Sequence, residues 1–238
     1  MKRIAAITFS ILISIQAFAL DAHQIWNRLL KSNVNEIGVV NYQGFAKNQA
    51  QLESYLQLLS ENTPDDTWSK QEAMAYWINA YNAFTVKLIL RYYPIESIMK
   101  INHGKAWDLE FIELGGKSYT LNQIEHEILR PTYQDPRIHF AVNCASFSCP
   151  ILLNEAFTAE NLEKLLDQQA RHFINNPDKN TITADKLELS KLFKWYAEDF
   201  TKDGSLIEFL NQYSTTPINS TAKVTYKEYD WSLNNQRK

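Results

Sequence analysis

Residues Ser69 to Pro94, SKQEAMAYWINAYNAFTVKLILRYYP, decide the fold. Ser69 is a good N-cap and Glu72 follows three residues later, the spacing of a capping box. Pro94 ends the run, because a proline cannot continue a helix. Between them, apolar residues fall on nearly every face. A helix that is apolar all round is covered on all sides by other elements, so this one is predicted to be central. Asn79 and Asn82 interrupt it three residues apart, hence on one side. A buried amide must find hydrogen-bond partners. Two readings follow: the pair ties nearby loop backbone to the helix, or it lines a pocket where one amide donates to a developing oxyanion.

On the N-terminal side, 22–34 reads as a helix with Ile25, Trp26, Leu29 and Leu30 on one face, and 39–42 as a short extended piece. A second helix is predicted over 43–60, broken by Thr63-Pro64-Asp65-Asp66. On the C-terminal side the period changes. Trp107 to Leu114 and Lys117 to Thr120 flank Gly115-Gly116, a two-residue hairpin turn. Thr120 and Gln123 repeat the capping-box spacing before LNQIEHEILR, a helix expected to stop at Pro131. After the Asp135-Pro136 turn, 137–142 is predicted as a strand. A helix over 158–174, a hairpin over 180–189, a long helix over 190–213 interrupted near Asp203-Gly204, and a strand over 223–229 complete the reading. Long helices with a few short strands imply an α+β fold: one domain, with a small, mainly antiparallel sheet.

The N-terminus carries a different signal. Lys2 and Arg3 precede an apolar run from Ile4 to Ile15, and Ala17-Phe18-Ala19 follows with small residues at alternate positions. That order describes a secretory signal over 1–19, leaving 20–238 as the mature domain. The run is short for a membrane span. The expected location is periplasmic or secreted, without a membrane span after cleavage. A hydrophobic content of 45% with 13% aromatics argues for a packed globule rather than disorder. The net charge of −3 and the lack of a dense Lys/Arg patch give no reason to expect nucleic acid. Six glycines, with one adjacent pair, leave no phosphate-cradling loop.

Both cysteines of the chain lie in HFAVNCASFSCPIL, His139 to Leu152. Cys144 and Cys149, with Ser146 between them, suit a disulfide, a metal clip, or a nucleophile with a companion thiol. A disulfide over so short a loop stabilises by only about 2 kcal/mol. A Cys₂His₂ set with His126 and His139 has a wider cysteine interval than zinc sites favour, so neither a metal nor a cofactor is expected.

Five stretches together, WINAYNAFTV (Trp77 to Val86), IEHEILR (Ile124 to Arg130), DPRIHFAVNCASFSCP (Asp135 to Pro150), FKWYAEDF (Phe193 to Phe200) and YDWSLN (Tyr229 to Asn234), resemble the family known as domain of unknown function 547. The resemblance implies a fold and a set of matched polar residues, not a reaction. Relatives that carry a glutaredoxin-like domain in the same chain point towards thiol chemistry.

The residues themselves suggest an arrangement. Cys144 would be a nucleophile at a strand edge, its pKa lowered by a basic neighbour. His139 stands five positions earlier on the predicted strand and so on the opposite face, which leaves His126 as the expected base. Glu125, Asn79 and Asn82 are the supporting candidates. Arg130 lies one helical turn from His126. Cys149 would resolve or wall the site, and Asp230 would cap a turn or orient a histidine. The expected reaction is acyl transfer or amide hydrolysis on an exported peptide or cell-envelope substrate. The rival readings are a non-catalytic binding or structural envelope protein with a Cys144–Cys149 disulfide, and a thiol–disulfide protein.

Overall fold

A computed structural model describes residues 23–235 of the chain. The expected signal sequence and its cleavage after Ala19 lie outside the described residues. A first helix, α1, covers 23–33; α2 is Tyr42–Lys47, α3 is Gln49–Glu61 and α4 is Lys70–Tyr92. The capping box of α4 forms as expected. Ser69 N–H donates to Glu72 Oε2 at 2.9 Å and Glu72 N–H donates to Ser69 Oγ at 3.2 Å. Every residue from Met74 to Val86 is buried, so α4 is indeed the central element.

Helices α1 and α3 cover one side of α4. Trp26 stacks on Tyr55 with centroids 5.6 Å apart, and Tyr76 of α4 donates its hydroxyl to Leu59 O at 2.7 Å. The helix predicted over 43–60 is two helices broken at Asn48. Its first turn is fixed by Asn41, whose side chain accepts from Gly44 N–H.

The glycine hairpin also forms. Strands β1 (Ile112–Leu114) and β2 (Lys117–Tyr119) pair antiparallel. Gly115 and Gly116 both take positive φ, which only glycine adopts freely and which a two-residue hairpin of matching twist requires. Helix α5 has three parts: a capped start (Leu121–Gln123), a π turn (Ile124–Leu129) and a closing α turn (Arg130–Tyr133). It passes through Pro131 rather than stopping there. The ladder is already interrupted by the π turn, in which Arg130 N–H reaches back to Glu125 O, so the proline falls where the helix is not regular.

Two larger corrections concern the middle and end of the chain. The predicted strand over 137–142 is a short helix, α6 (Ile138–Ala141). A brief apolar run buried on every side has no readable period. Ile138 and Ala141 join the core around α4, whereas Phe140 joins a second core. The long helix predicted over 190–213 is three short ones: α8 (Leu192–Trp195), α9 (Ala197–Phe200) and α10 (Leu206–Asn211). They wrap the second core, where Phe140, Phe173, Phe193, Phe200 and Phe209 pack ring against ring at tilted angles. A straight helix could not bring all of these rings inward. The α10 turn begins with its own capping box, Ser205 with Glu208.

Helix α7 (Leu162–Ile174) belongs to both cores, with Leu165 and Leu166 in the first and Ala170 and Phe173 in the second. A three-stranded sheet covers the second core. Strands β3 (Thr181–Ile182) and β4 (Lys186–Leu189) pair antiparallel, and β5 (Lys223–Tyr226) pairs parallel to β4. A parallel neighbour needs a crossover, which α8 to α10 supply. The result is an α+β fold with two small sheets, one antiparallel and one mixed. Among the described residues no helix is long and apolar enough to cross a membrane.

Candidate functional site

The loop from Asn143 to Pro150 leaves α6 and is held from three directions. Asn82 accepts from Asn143 N–H at 2.8 Å and donates to Ala141 O at 2.9 Å. The C-terminal segment pairs along the loop: Phe147 N–H donates to Ser232 O, Ser148 N–H to Asp230 O, and Asn234 N–H to Ala145 O. From behind, the buried ammonium of Lys179 donates to Phe147 O and lies 4.4 Å from the Phe147 ring centroid. Burial holds that ammonium below the ordinary lysine range. These restraints keep Ala145 at φ +61°, a left-handed conformation that costs an alanine about 1 kcal/mol.

The fold of the loop brings the two sulfurs together. Both cysteines are free thiols; Cys144 is half-buried and Cys149 buried. Cys144 N–H donates to Cys149 Sγ at 2.9 Å. Cys144 Sγ lies 3.1 Å from Ser146 Oγ and 3.4 Å from Tyr229 Oη, and those two hydroxyls are 3.2 Å apart. Burial pushes the Cys144 thiol up, but hydrogen bonds from Cys149, Ser146 and Tyr229 outweigh it and bring it down to about 7. Burial and the adjacent Cys144 push Cys149 the other way, well above the usual thiol range. The two thiols are thus driven in opposite directions, and Cys144 is the one that ionises first.

A second cluster faces the same space. His139, 2% exposed, contacts Asp199 Oδ2 through Nε2 at 2.6 Å and stacks on Tyr196 with centroids 3.8 Å apart. Arg130 grips the same carboxylate at both oxygens, Nε to Oδ2 at 2.7 Å and Nη2 to Oδ1 at 3.1 Å. Burial raises the Asp199 pKa, and the bonds from His139 and Arg130 more than reverse that, leaving it well below the usual carboxylate range. An ionised Asp199 fixes the proton of His139 on Nε2 and the lone pair on Nδ1. That Nδ1 is buried and has no hydrogen-bond partner.

Cys144, Cys149, His126, His139 and Glu125 all line one cleft of about 220 Å³. Tyr81, Tyr196 and Tyr229 are among its walls, and Trp107, Trp195 and Trp231 line it as well. No hydrogen bond joins Cys144 to either histidine; such bonds are often long in a site without substrate. Among the described residues, no group of three or more His, Cys, Asp or Glu is arranged to hold a metal ion.

The structure sorts the candidates from the sequence. Asn79 bonds the Phe157 backbone at both ends of its amide, and Asn82 bonds the loop, so both tie backbone to α4 and neither lines the cleft. His126 is exposed and its Nδ1 meets Arg130 Nη1 at 3.1 Å. Glu125 is buried and accepts from Tyr196 Oη at 2.7 Å. Asp230 Oδ1 accepts from Ser232 N–H, the turn-capping alternative. The strand geometry that set His139 aside does not exist, because α6 is a helix. Asp199, Tyr196, Tyr229 and Lys179 were not singled out from the sequence. Asp199 stands in WYAEDF beside Glu198, which is exposed, and nothing within that stretch marks which carboxylate meets a distant partner.

Residues 66–174 match a family model described as "Protein of unknown function, DUF547". The matched part contains α4, α5, α6, the cysteine loop and α7, hence Cys144, Cys149 and His139; Asp199 and Tyr229 come from the chain beyond it. Comparison with curated proteins and with solved structures finds no match.

Proposed function

We propose that this protein is a cysteine-dependent acyl-transfer enzyme or amide hydrolase, with Cys144 as nucleophile and His139, oriented by Asp199, as its acid and base. The observation that carries the reading is the shared cleft. It holds a half-buried thiol within hydrogen-bond reach of two hydroxyls, together with a buried imidazole whose second nitrogen is unpartnered. In this reading Cys144 transfers its proton to His139 Nδ1 and attacks a carbonyl carbon. The S–C bond forms, the bond to the leaving group breaks, and the leaving group takes the proton from His139. Water, deprotonated by His139, then attacks the thioester and expels the thiolate. Asp199 stabilises the imidazolium that forms in each half. The substrate is placed outside the cytoplasm, as a peptide or cell-envelope component, on the strength of the N-terminal signal pattern.

Intact-mass analysis after brief exposure to p-nitrophenyl acetate tests this. Wild type should gain one acetyl group on Cys144, and Cys144→Ser should gain none. Acetylation elsewhere, with Cys144 unmodified, sinks the reading.

The placing of Cys149 Sγ against the Cys144 backbone N–H supports a second reading, thiol–disulfide exchange, in which Cys149 would attack a disulfide formed between Cys144 and a partner. Trapping a mixed disulfide with Cys149→Ser, absent from the wild type, would favour it.

A further inference from the structure

One wall of the cleft is built from aromatic rings. Tyr229, whose hydroxyl meets Cys144 Sγ, packs its ring 4.4 Å from Trp231 and 4.7 Å from Trp195. Trp195 and Trp231 are stacked at 5.8 Å, and Trp107 meets Trp231 edge-on at 5.7 Å. All four line the same cleft as the sulfur. Within this group Trp195 stands out, because 48% of it is exposed. Among the described residues, Ile37, Tyr92 and Met99 are the other exposed large apolar ones, and none of them lines this cleft. An indole left open beside a nucleophile keeps apolar surface in water, and covering it is favourable by roughly 25 cal/mol per Å².

Charge narrows what would cover it. Among the described residues lining the cleft there is no lysine or arginine, and Glu125 is the one acidic residue. Arg130, behind the cleft, already serves Asp199 and His126. A carboxylate or phosphate would find neither lysine nor arginine here to pair with. The cleft is also too small for a drug-sized ligand, since such pockets begin at about 300 Å³. It suits one side-chain-sized group.

We infer that the Trp195–Tyr229–Trp231 wall is a specificity subsite for a neutral aromatic or bulky apolar group next to the carbonyl that Cys144 attacks. This rests on the cysteine reading for its chemistry, but binding at the wall can be read separately. An aromatic group on such a surface gains from ring-on-ring contact as well as from simple burial.

The test compares alkylation of Cys144 by iodoacetamide, by N-benzyliodoacetamide and by an iodoacetamide bearing a trimethylammonium group, each rate divided by that for glutathione. In the wild type the benzyl reagent should be favoured over iodoacetamide by about fivefold, the factor that 1 kcal/mol allows. Trp195→Ala should bring the ratio close to one, and Trp195→Phe should keep most of it. A wild-type ratio near one, or a ratio untouched by Trp195→Ala, overturns the inference. A preference for the trimethylammonium reagent overturns it too, because the wall would then be a cation site. The ratio can be read however slowly Cys144 reacts. A sluggish thiol therefore counts against the nucleophile, and a lost ratio counts against the wall.

Discussion

His139 and Asp199 stand sixty residues apart in sequence and meet at 2.6 Å, with Arg130 closing on the same carboxylate from α5. Three separate elements thus fix one imidazole. Tyr196 also stacks on its face, so the ring is held at one edge and on one side. A histidine needed only for packing would not require an ion-paired carboxylate to select its tautomer.

Replacing Asp199 should therefore cost turnover more than it costs substrate binding. Asp199→Asn keeps the shape but lets the amide offer either a donor or an acceptor to Nε2, so the tautomer is no longer enforced. We expect kcat on an activated ester to fall by about 10²-fold or more, the scale of general acid–base catalysis, with KM little changed. His139→Gln should be at least as damaging. Steady-state kinetics on folded variants decide it, and unaltered kcat in Asp199→Asn would remove His139 from the mechanism.

The ionisation of Cys144 is a separate matter, because hydroxyl donors rather than a histidine lie against its sulfur. The rate of iodoacetamide labelling should follow a titration centred at about 7. Taking a donor from the thiolate makes ionisation harder, so Tyr229→Phe and Ser146→Ala should each move the midpoint upwards, by about one unit if the lost bond is worth 1.5 kcal/mol. Cys149, pushed up by burial and its neighbour, should stay unlabelled throughout this range. A midpoint above 8.5, the free-thiol value of about that size, would mean the hydroxyls do not stabilise the anion.

Stability should depend on pH through His23. This residue is buried, with Nδ1 at 3.1 Å from Tyr55 Oη, and burial lowers its pKa from 6.5 to about 4. A folded-state pKa below the unfolded one means that the unfolded chain binds the proton first. The contribution is fully present above pH 6.5 and is lost as pH falls towards about 4. Within that window the slope approaches about 1.4 kcal/mol per pH unit for one group. Asp199 acts in the same direction, but its loss comes at more acidic pH because its folded pKa lies below the carboxylate range. Denaturant midpoints measured across the window should decline for the wild type and flatten for His23→Gln. Equal slopes in the two proteins would contradict the assignment.

What could be read from the sequence was whatever is encoded within a few residues. Ser69 with Glu72, Thr120 with Gln123, and Gly115-Gly116 each specify a hydrogen bond or a dihedral locally, and all three form. The apolar stretch after Ser69 announced a central helix by composition alone. The cysteine segment was legible as a site of interest because it gathers both cysteines. Its catalytic geometry was not. RIHFAV is short and apolar enough to resemble a strand, yet it lies at the junction of two cores, where burial on every side erases any readable period. That single misreading turned attention from His139 to His126. Asp199 and Tyr229 were out of reach for a different reason: contacts across 60 and 85 residues leave no local trace.

Asn82 offers the sharpest test of how the loop is held. Its amide answers two backbone groups at once, accepting from Asn143 N–H and donating to Ala141 O, and all of these atoms belong to buried residues. Asn82→Leu keeps the branched outline of the side chain, with bulkier methyl ends, but strands one donor and one acceptor away from water. Each stranded group costs about 1–3 kcal/mol, so a loss of about 2–6 kcal/mol is expected if no water enters. Asn82→Asp keeps the acceptor for Asn143 N–H and sacrifices only the bond to Ala141 O, at the further cost of a buried carboxyl group. The two variants should differ in a second readout. Because Asn143 sets the start of the cysteine loop, Asn82→Leu should slow Cys144 alkylation even where the protein remains folded, whereas Asn82→Asp should preserve more of the rate. If Asn82→Leu were as stable as wild type with Cys144 equally reactive, the loop would be held without Asn82, by Lys179 and by the C-terminal segment through Ala145, Phe147 and Ser148.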